Sequence, residues 1–283
     1  MTTEEVEFVS DPTTFQEAWN HPDPVESERW RDVIKKEFND MMKSQSQSGA
    51  TYRRTIGSKW VFKRKRYVRF RARLCGLGYT QIAGIDFTAN YAPVVNDFTF
   101  RILLLLKILL EWDAGLIDIE LAFLHGDMEE LIYMNLPEGL NLIEGVEENE
   151  DYDYVLLDKN IYGTVQAAWQ WAKMFKKTIY RLSFEANLID PCLMTRTNDE
   201  GVVILCIYAD DVLLVEDKEA IKSTVEDIKI KFDIRKEGPL TDYLGCIIKF
   251  MNKESSIHQP HPLKKLENKF LSLTKGPCNH KLP

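Results

Sequence analysis

The chain is poor in the features that mark secreted, zinc-stabilised or membrane proteins. No two of its five cysteines (Cys75, Cys192, Cys206, Cys246, Cys278) have C-x-x-C spacing, which argues against a zinc ribbon or a redox dithiol. Cys206 and Cys246 lie in apolar, strand-like runs and read as buried reduced thiols, in keeping with a reducing compartment. The opening MTTEEVEFVS is acidic and polar, unlike a signal peptide. The most apolar window, FRILLLLKILLEW over 100–112, contains Arg101, Lys107 and Glu111. It is too short and too charged to span a bilayer and reads as a core helix. There is no internal repeat, and 45% hydrophobic residues leave no sign of wholesale disorder. A formal net charge of -8 argues against a protein that simply coats nucleic acid.

The 283 residues suffice for one large domain or two modest ones. Asp23-Pro24 with Glu26 predicts a helix start, and Trp30, Val33, Ile34, Phe38, Met41 and Met42 then follow at helical spacing. Asn96 or Asp97 caps a helix running to about Trp112. A further helix is expected around 166–183, with Trp171, Phe175, Ile179 and Leu182 on one face. Another starts at Asp217, burying Ile221, Val225, Ile228 and Phe232, and a short one follows Pro262. Strands are expected at 115–126, on both sides of Ala209-Asp210-Asp211, and at 243–250. Helices interleaved with at least one hairpin predict an α+β fold, an antiparallel sheet covered by helices.

Two features carry chemistry. Asp210 and Asp211 interrupt the apolar run VVILCIYADDVLLV, where a carboxylate is expensive unless something compensates it. Neighbours on a strand point to opposite faces, so the pair shares a site only at a turn. Asp118 in LIDIE is flanked by apolar residues in the same way. Three converging carboxylates suit Mg²⁺, and two such ions roughly 4 Å apart suit phosphoryl transfer. A solvated turn and a strand-end cap are the plain alternative. The second feature is KWVFKRKRYVRFRARL over 59–74, which alternates basic with apolar residues and has no acid. Such a ribbon either keeps an edge strand soluble or binds phosphate. Acids for metal and bases for phosphate together suggest nucleotidyl transfer.

The motifs SKWVFKRK, RARLCGLGYTQIAGIDFTANYAPV, IDIELAFLHGDMEELIYMNLPEG, IYGTVQAAWQW, DPCLM, ILCIYADDVLLV, YLGCII and HQP occur in this order. Through them the chain resembles the reverse transcriptase domain of copia-type (Pseudoviridae) retrotransposon Pol polyproteins over roughly residues 26–283. The resemblance implies a right-hand polymerase fold. An N-terminal tail would occupy 1–25, fingers about 51–117 and 127–161, palm about 118–126 and 162–250, and the start of a thumb 251–283. It implies RNA- and DNA-templated DNA synthesis, in which a primer 3′-hydroxyl attacks the α-phosphorus of a dNTP and pyrophosphate leaves. Asp118, Asp210 and Asp211 would be catalytic and bind two Mg²⁺, with Mn²⁺ as a substitute. Arg71, Arg73, Phe123, Gly163 and Gln166 would bind the dNTP, Phe123 as the aromatic gate against a 2′-hydroxyl. Lys63, Arg64, Lys65, Arg66 and Arg69 would hold the RNA/DNA template-primer. RNase H and integrase domains are expected partners, in a cytoplasmic virus-like particle or the nucleus.

The chain departs from the pattern in places. The segment WVFKRKRYVRFRARL is shortened where the fingertip turn is expected. Ala168 and Trp169 stand where the family has Pro-Arg, which would weaken or abolish activity. The alternative reading is therefore an inactive, truncated remnant that at most binds nucleic acid.

Overall fold

The computed structural model describes residues 10–43, 46–47, 54–65, 69–143, 154–199, 201–251 and 254–259, and beyond them Leu263, Leu266, Lys269 and Phe270, which are helical as expected after Pro262. In chain order the elements are α1 (Phe15–Trp19), α2 (Pro24–Met42), β1 (Ser46–Gln47), β2 (Thr55–Ile56), β3 (Ser58–Lys65), β4 (Arg69–Gly76), α3 (Asp97–Leu109) and β5 (Asp113–Ile119). There follow β6 (Tyr133–Asn135), β7 (Tyr154–Leu156), α4 (Ala167–Arg181), β8 (Glu185–Ala186), β9 (Leu193–Asn198), β10 (Gly201–Tyr208) and β11 (Asp211–Glu216). The last are α5 (Lys218–Lys229), β12 (Ile234–Pro239), β13 (Asp242–Tyr243), β14 (Cys246–Met251) and β15 (Glu254–His258). The expected α+β class is what forms.

Two compact units divide the chain: Met1–Ala92 with Leu121–Lys177, and Pro93–Glu120 with Thr178–Pro283. This division differs from the expected boundaries at 93–117, which group with Asp118, and at 121–126 and 162–177, which group with the basic hairpin. Hydrogen bonding explains the first difference. Asp113 to Asp118 of β5 all pair with β11, so the strand does not split before Asp118.

In the first unit, Asp23 caps α2 by accepting from the Val25 and Glu26 amides, with Pro24 in the first turn. Trp30, Ile34, Phe38 and Met41 form its buried stripe. They pack on the alternating buried face of β4, where Phe70 meets Trp30 edge-on at 4.5 Å. Part of the tail expected over 1–25 is folded. Thr14 caps α1, and Phe15, Ala18 and Trp19 are buried, in a helix too short for periodicity to register. Strands β3 and β4 pair antiparallel from Ser58↔Gly76 to Lys65↔Arg69, so the shortened segment still closes a hairpin.

In the second unit, a six-stranded antiparallel sheet runs β12-β5-β11-β10-β9-β8. Val212, Leu213, Leu214 and Val215 are all buried, so both faces of β11 are covered. That is why the central hairpin reads as an unbroken apolar run. Helix α5 covers one face; a Cβ on Gly115 would lie 3.4 Å from Ile221. Helix α3 starts at its Asn96 cap, as expected, but is not a core helix. Only Phe100, Leu103 and Leu104 are buried, while Phe98 and Leu109 are 69% and 66% exposed. The Leu and Ile run over 102–106 puts apolar residues on more than one side of the helix, so the pattern does not mark the covered face.

Candidate active site

The β10–β11 hairpin closes through a two-residue loop, Ala209-Asp210, because Tyr208 pairs with Asp211. Ala209 adopts a left-handed conformation (φ 51°), as such tight turns demand. Asp210 thus sits at the tip and Asp211 opens β11. On the neighbouring strand, Asp118 is the register partner of Asp211. Directly opposed residues share a face, so the two carboxylates project to the same side of the sheet. The pleat places this on the face away from α5, since Gly115 looks toward Ile221. The Asp210 carbonyl accepts from the Ile119 amide at 3.0 Å and ties the turn to β5.

Like charges opposed across strands repel. Part of the compensation comes from Arg235. The register of β12 slips between Ile234 and Lys236, which leaves Arg235 as the extra residue of a bulge. Its Nη2 pairs with Asp118 Oδ2 and lies 3.9 Å from Asp210 Oδ2. Asp118 Oδ1 is buried with no hydrogen-bond partner among the described residues. Burial pushes the Asp211 carboxyl up to about 6, and the Asp210 and Asp118 charges add to that against the opposing pull of Arg235 and Lys236. Among the described residues no three His, Cys, Asp or Glu side chains are gathered closely enough to hold a metal ion.

The first unit holds the expected dNTP-binding residues. Lys63, Arg69, Arg71 and Arg73 share one face of the β3–β4 hairpin by register and alternation, opposite the face that buries Phe62, Phe70, Ala72 and Leu74. Arg64 lies on that buried face instead. It pairs with Glu26, and its guanidinium lies 5.9 Å from the Trp30 ring. The Lys65 side chain and all of Arg66 lie outside the described residues. Arg73 stacks on the Tyr162 ring at 4.3 Å, with its Nε buried and without a hydrogen-bond partner among the described residues. Phe123 meets the same ring: its centroid is 5.0 Å from that of Tyr162, in an edge contact. Phe123 itself lies in a short 3-10 turn that follows Leu121, a left-handed residue (φ 52°).

Gly163 and Gln166 serve the frame around these groups. The Tyr162 carbonyl accepts from Gly76 and the Gly163 carbonyl from Gly78, clamping this loop to the end of β4. Gly163 has φ 89°, and a Cβ there would fall 2.3 Å from the Gly76 carbonyl oxygen. Gln166 is fully buried. Its amide accepts from Gln81 at 3.0 Å and donates to the Asp86 carbonyl at 3.1 Å, so it is committed within the unit. Trp169 is not in the core of its unit; Lys173, one turn on, lies 4.7 Å from its ring.

Sequence reasoning missed Arg235 and Tyr162. Arg235 lies among mixed charges in IRKEGP, and nothing in a single sequence announces a bulge. Tyr162 lay inside a recognised motif, IYGTVQ, where aromatic-next-to-glycine was the available signal.

Residues 47–278 match the family described as reverse transcriptase (RNA-dependent DNA polymerase). The retrovirus-related Pol polyprotein from transposon TNT 1-94 of Nicotiana tabacum is 32% identical, over 84% of this chain and 18% of its own length. Those from transposons RE1 and RE2 of Arabidopsis thaliana are 24% and 27% identical, over 78% and 67% of this chain and 15% and 13% of theirs. The chain thus spans less than a fifth of the length of these curated relatives. It belongs to the reverse transcriptase (RNA-dependent DNA polymerase) family, as a domain of the copia-type retrotransposon Pol kind.

Proposed function

We propose that this chain extends a primer on RNA and DNA templates through a right-hand polymerase fold, with the second unit's sheet as palm and the basic hairpin as part of the fingers. One observation carries the reading: Asp118 stands opposite Asp211 in register, with Asp210 in the adjoining turn. These residues fit the divalent ions that the family implies. They supply only carboxylate oxygens, and one of them, Asp118 Oδ1, is buried and unsatisfied among the described residues. Asp118, Asp210 and Asp211 would hold Mg²⁺, which when bound lowers the barrier to attack by the primer hydroxyl and neutralises departing pyrophosphate.

The remaining work falls to the chain's own side chains. Arg73, held flat by Tyr162, presents its guanidinium to the triphosphate, with Arg71 beside it on the same face. Phe123 excludes a 2′-hydroxyl through its bulk, and the contact with Tyr162 keeps the ring from swinging aside. Lys63 and Arg69 contact the template-primer backbone; Arg64 supports the hairpin from within. Gln166 and Gly163 shape the loop and make no direct substrate contact. RNase H and integrase activities would come from other Pol domains.

The Ala168–Trp169 replacement favours a second reading, an inactive remnant that at most binds nucleic acid. RNA-templated DNA synthesis by the purified chain separates the two. The polymerase reading expects product that disappears with EDTA and in Asp118→Asn. Equal background from the parent chain and the variant, with template-primer binding intact, supports the remnant.

A further inference from the structure

We propose that Arg235 is a tethered cation that holds Asp118 and Asp210 in the metal-free chain, competes with the divalent ion, and thereby sets the metal affinity of the site. The inference rests on the polymerase reading above and adds to it a residue that positions the metal ligands.

Three observations converge on it. The first is placement. Arg235 is the surplus residue of a bulge beside Asp118, on the strand next to β5. A bulge re-aims one side chain out of the regular alternation, and here it aims the guanidinium at the carboxylates. Without it, Lys236 would be the only cation in register with Asp118. The second is enclosure. The Arg235, Asp118 and Asp210 side chains are 17%, 14% and 28% exposed, so the pair is poorly screened by solvent. The third is incompleteness. The guanidinium satisfies Asp118 Oδ2 and leaves Oδ1 buried without a hydrogen-bond partner among the described residues.

A single delocalised charge spread over a planar fork neutralises the pair only in part. A compact divalent ion binds carboxylate oxygens more strongly, but it must first displace a group fixed to the same sheet. The arrangement keeps three acids compatible with folding when no metal is bound. It also makes metal binding depend on moving Arg235 away.

The test is Mn²⁺ binding to the purified chain, without nucleotide or template, followed by the electron paramagnetic resonance of free Mn²⁺. Arg235→Gln is expected to bind about tenfold more tightly than the parent chain, the change associated with losing one charged hydrogen bond. Unfolding in EDTA supplies a second readout: the variant is less stable than the parent, and added Mn²⁺ narrows the gap. Should Arg235→Gln not fold, Arg235→Lys carries the test, with tighter binding expected because an ammonium holds two carboxylates less well. Unchanged or weaker Mn²⁺ binding in a folded variant overturns the proposal and leaves the metal site standing, provided that the parent binds and Asp118→Asn does not. If the parent itself binds no Mn²⁺ at millimolar concentrations, the polymerase reading fails and takes the proposal with it.

Discussion

Asp211 is held between two demands, because its neighbours Asp118 and Asp210 disfavour its charge while its position in the hairpin keeps it from solvent. A carboxyl that retains its proton to about pH 6 in the folded chain favours folding below its unfolded value, and that contribution is lost as the pH rises through 6. Asp211→Asn removes the penalty. In EDTA the variant should be more stable than the parent near pH 8, by about 1 kcal/mol after allowing for solvent screening, and the gap should close toward pH 4. Urea midpoints across that range read the effect; a gap that does not vary with pH contradicts it. Tyr162 makes a second residue-scale claim. Tyr162→Leu should raise the KM for dNTP by about tenfold, in line with the loss of a partly buried cation–π contact, and should also relax selection against ribonucleotides. Tyr162→Phe keeps the ring and should restore both. A fall in kcat alone, shared by both variants, contradicts the role. The strand and turn positions of the three aspartates and of Arg73 were legible in the sequence because each lies in a contiguous motif. Arg235 and Tyr162 were not, since each acts through a partner far away in the chain.

Among the elements, the β3–β4 hairpin and the loop at 161–166 depend on close backbone approach. A Cβ on Gly78 would fall 2.2 Å from the Gly163 carbonyl oxygen, with no flexible side chain to yield. Gly78→Ala should therefore destabilise the first unit by about 2 kcal/mol and lower its thermal midpoint. A midpoint unchanged from the parent would show that the loop is not clamped there. The hairpin also separates two kinds of arginine. Alternation of basic and apolar residues was readable from the sequence over 59–74, but that it falls on two paired strands was not. The odd member, Arg64, was not distinguishable by charge. Its place on the buried face follows from its register opposite Phe70 and its pairing with Glu26. Helix α3 shows the opposite limit: Asn96 gave its cap and the apolar run its extent, but neither gave its exposed side.

For the molecule as a whole, the net charge of -8 and the basic hairpin pull in different directions, and under the proposed function the hairpin is what meets nucleic acid. Replacing Lys63 and Arg69 together with Gln should lower the slope of log affinity against log salt by about 1 to 2, the release expected of two phosphate contacts. Arg64→Gln should instead reduce stability and leave that slope unchanged. Filter binding of an RNA–DNA template-primer over a range of salt distinguishes them; equal slopes for all three proteins would remove the hairpin from the interface. The α+β class and the central antiparallel hairpin were legible because long apolar runs and turn residues mark them. The division into two units was not, because its boundary at Glu120–Leu121 falls inside one motif and is set by strand pairing between residues distant in sequence. The central claim is that the carboxylates on β5 and at the β10–β11 turn carry out nucleotide transfer. Single-nucleotide extension of a labelled DNA primer on an RNA template, with Mg²⁺, tests it most directly when the parent chain is compared with Asp210→Asn at equal template-primer occupancy. The account predicts Mg²⁺-dependent extension by the parent and a loss of at least about a hundredfold in the variant, as for removal of a group that acts on the reacting atoms; equal extension by the two proteins would contradict it.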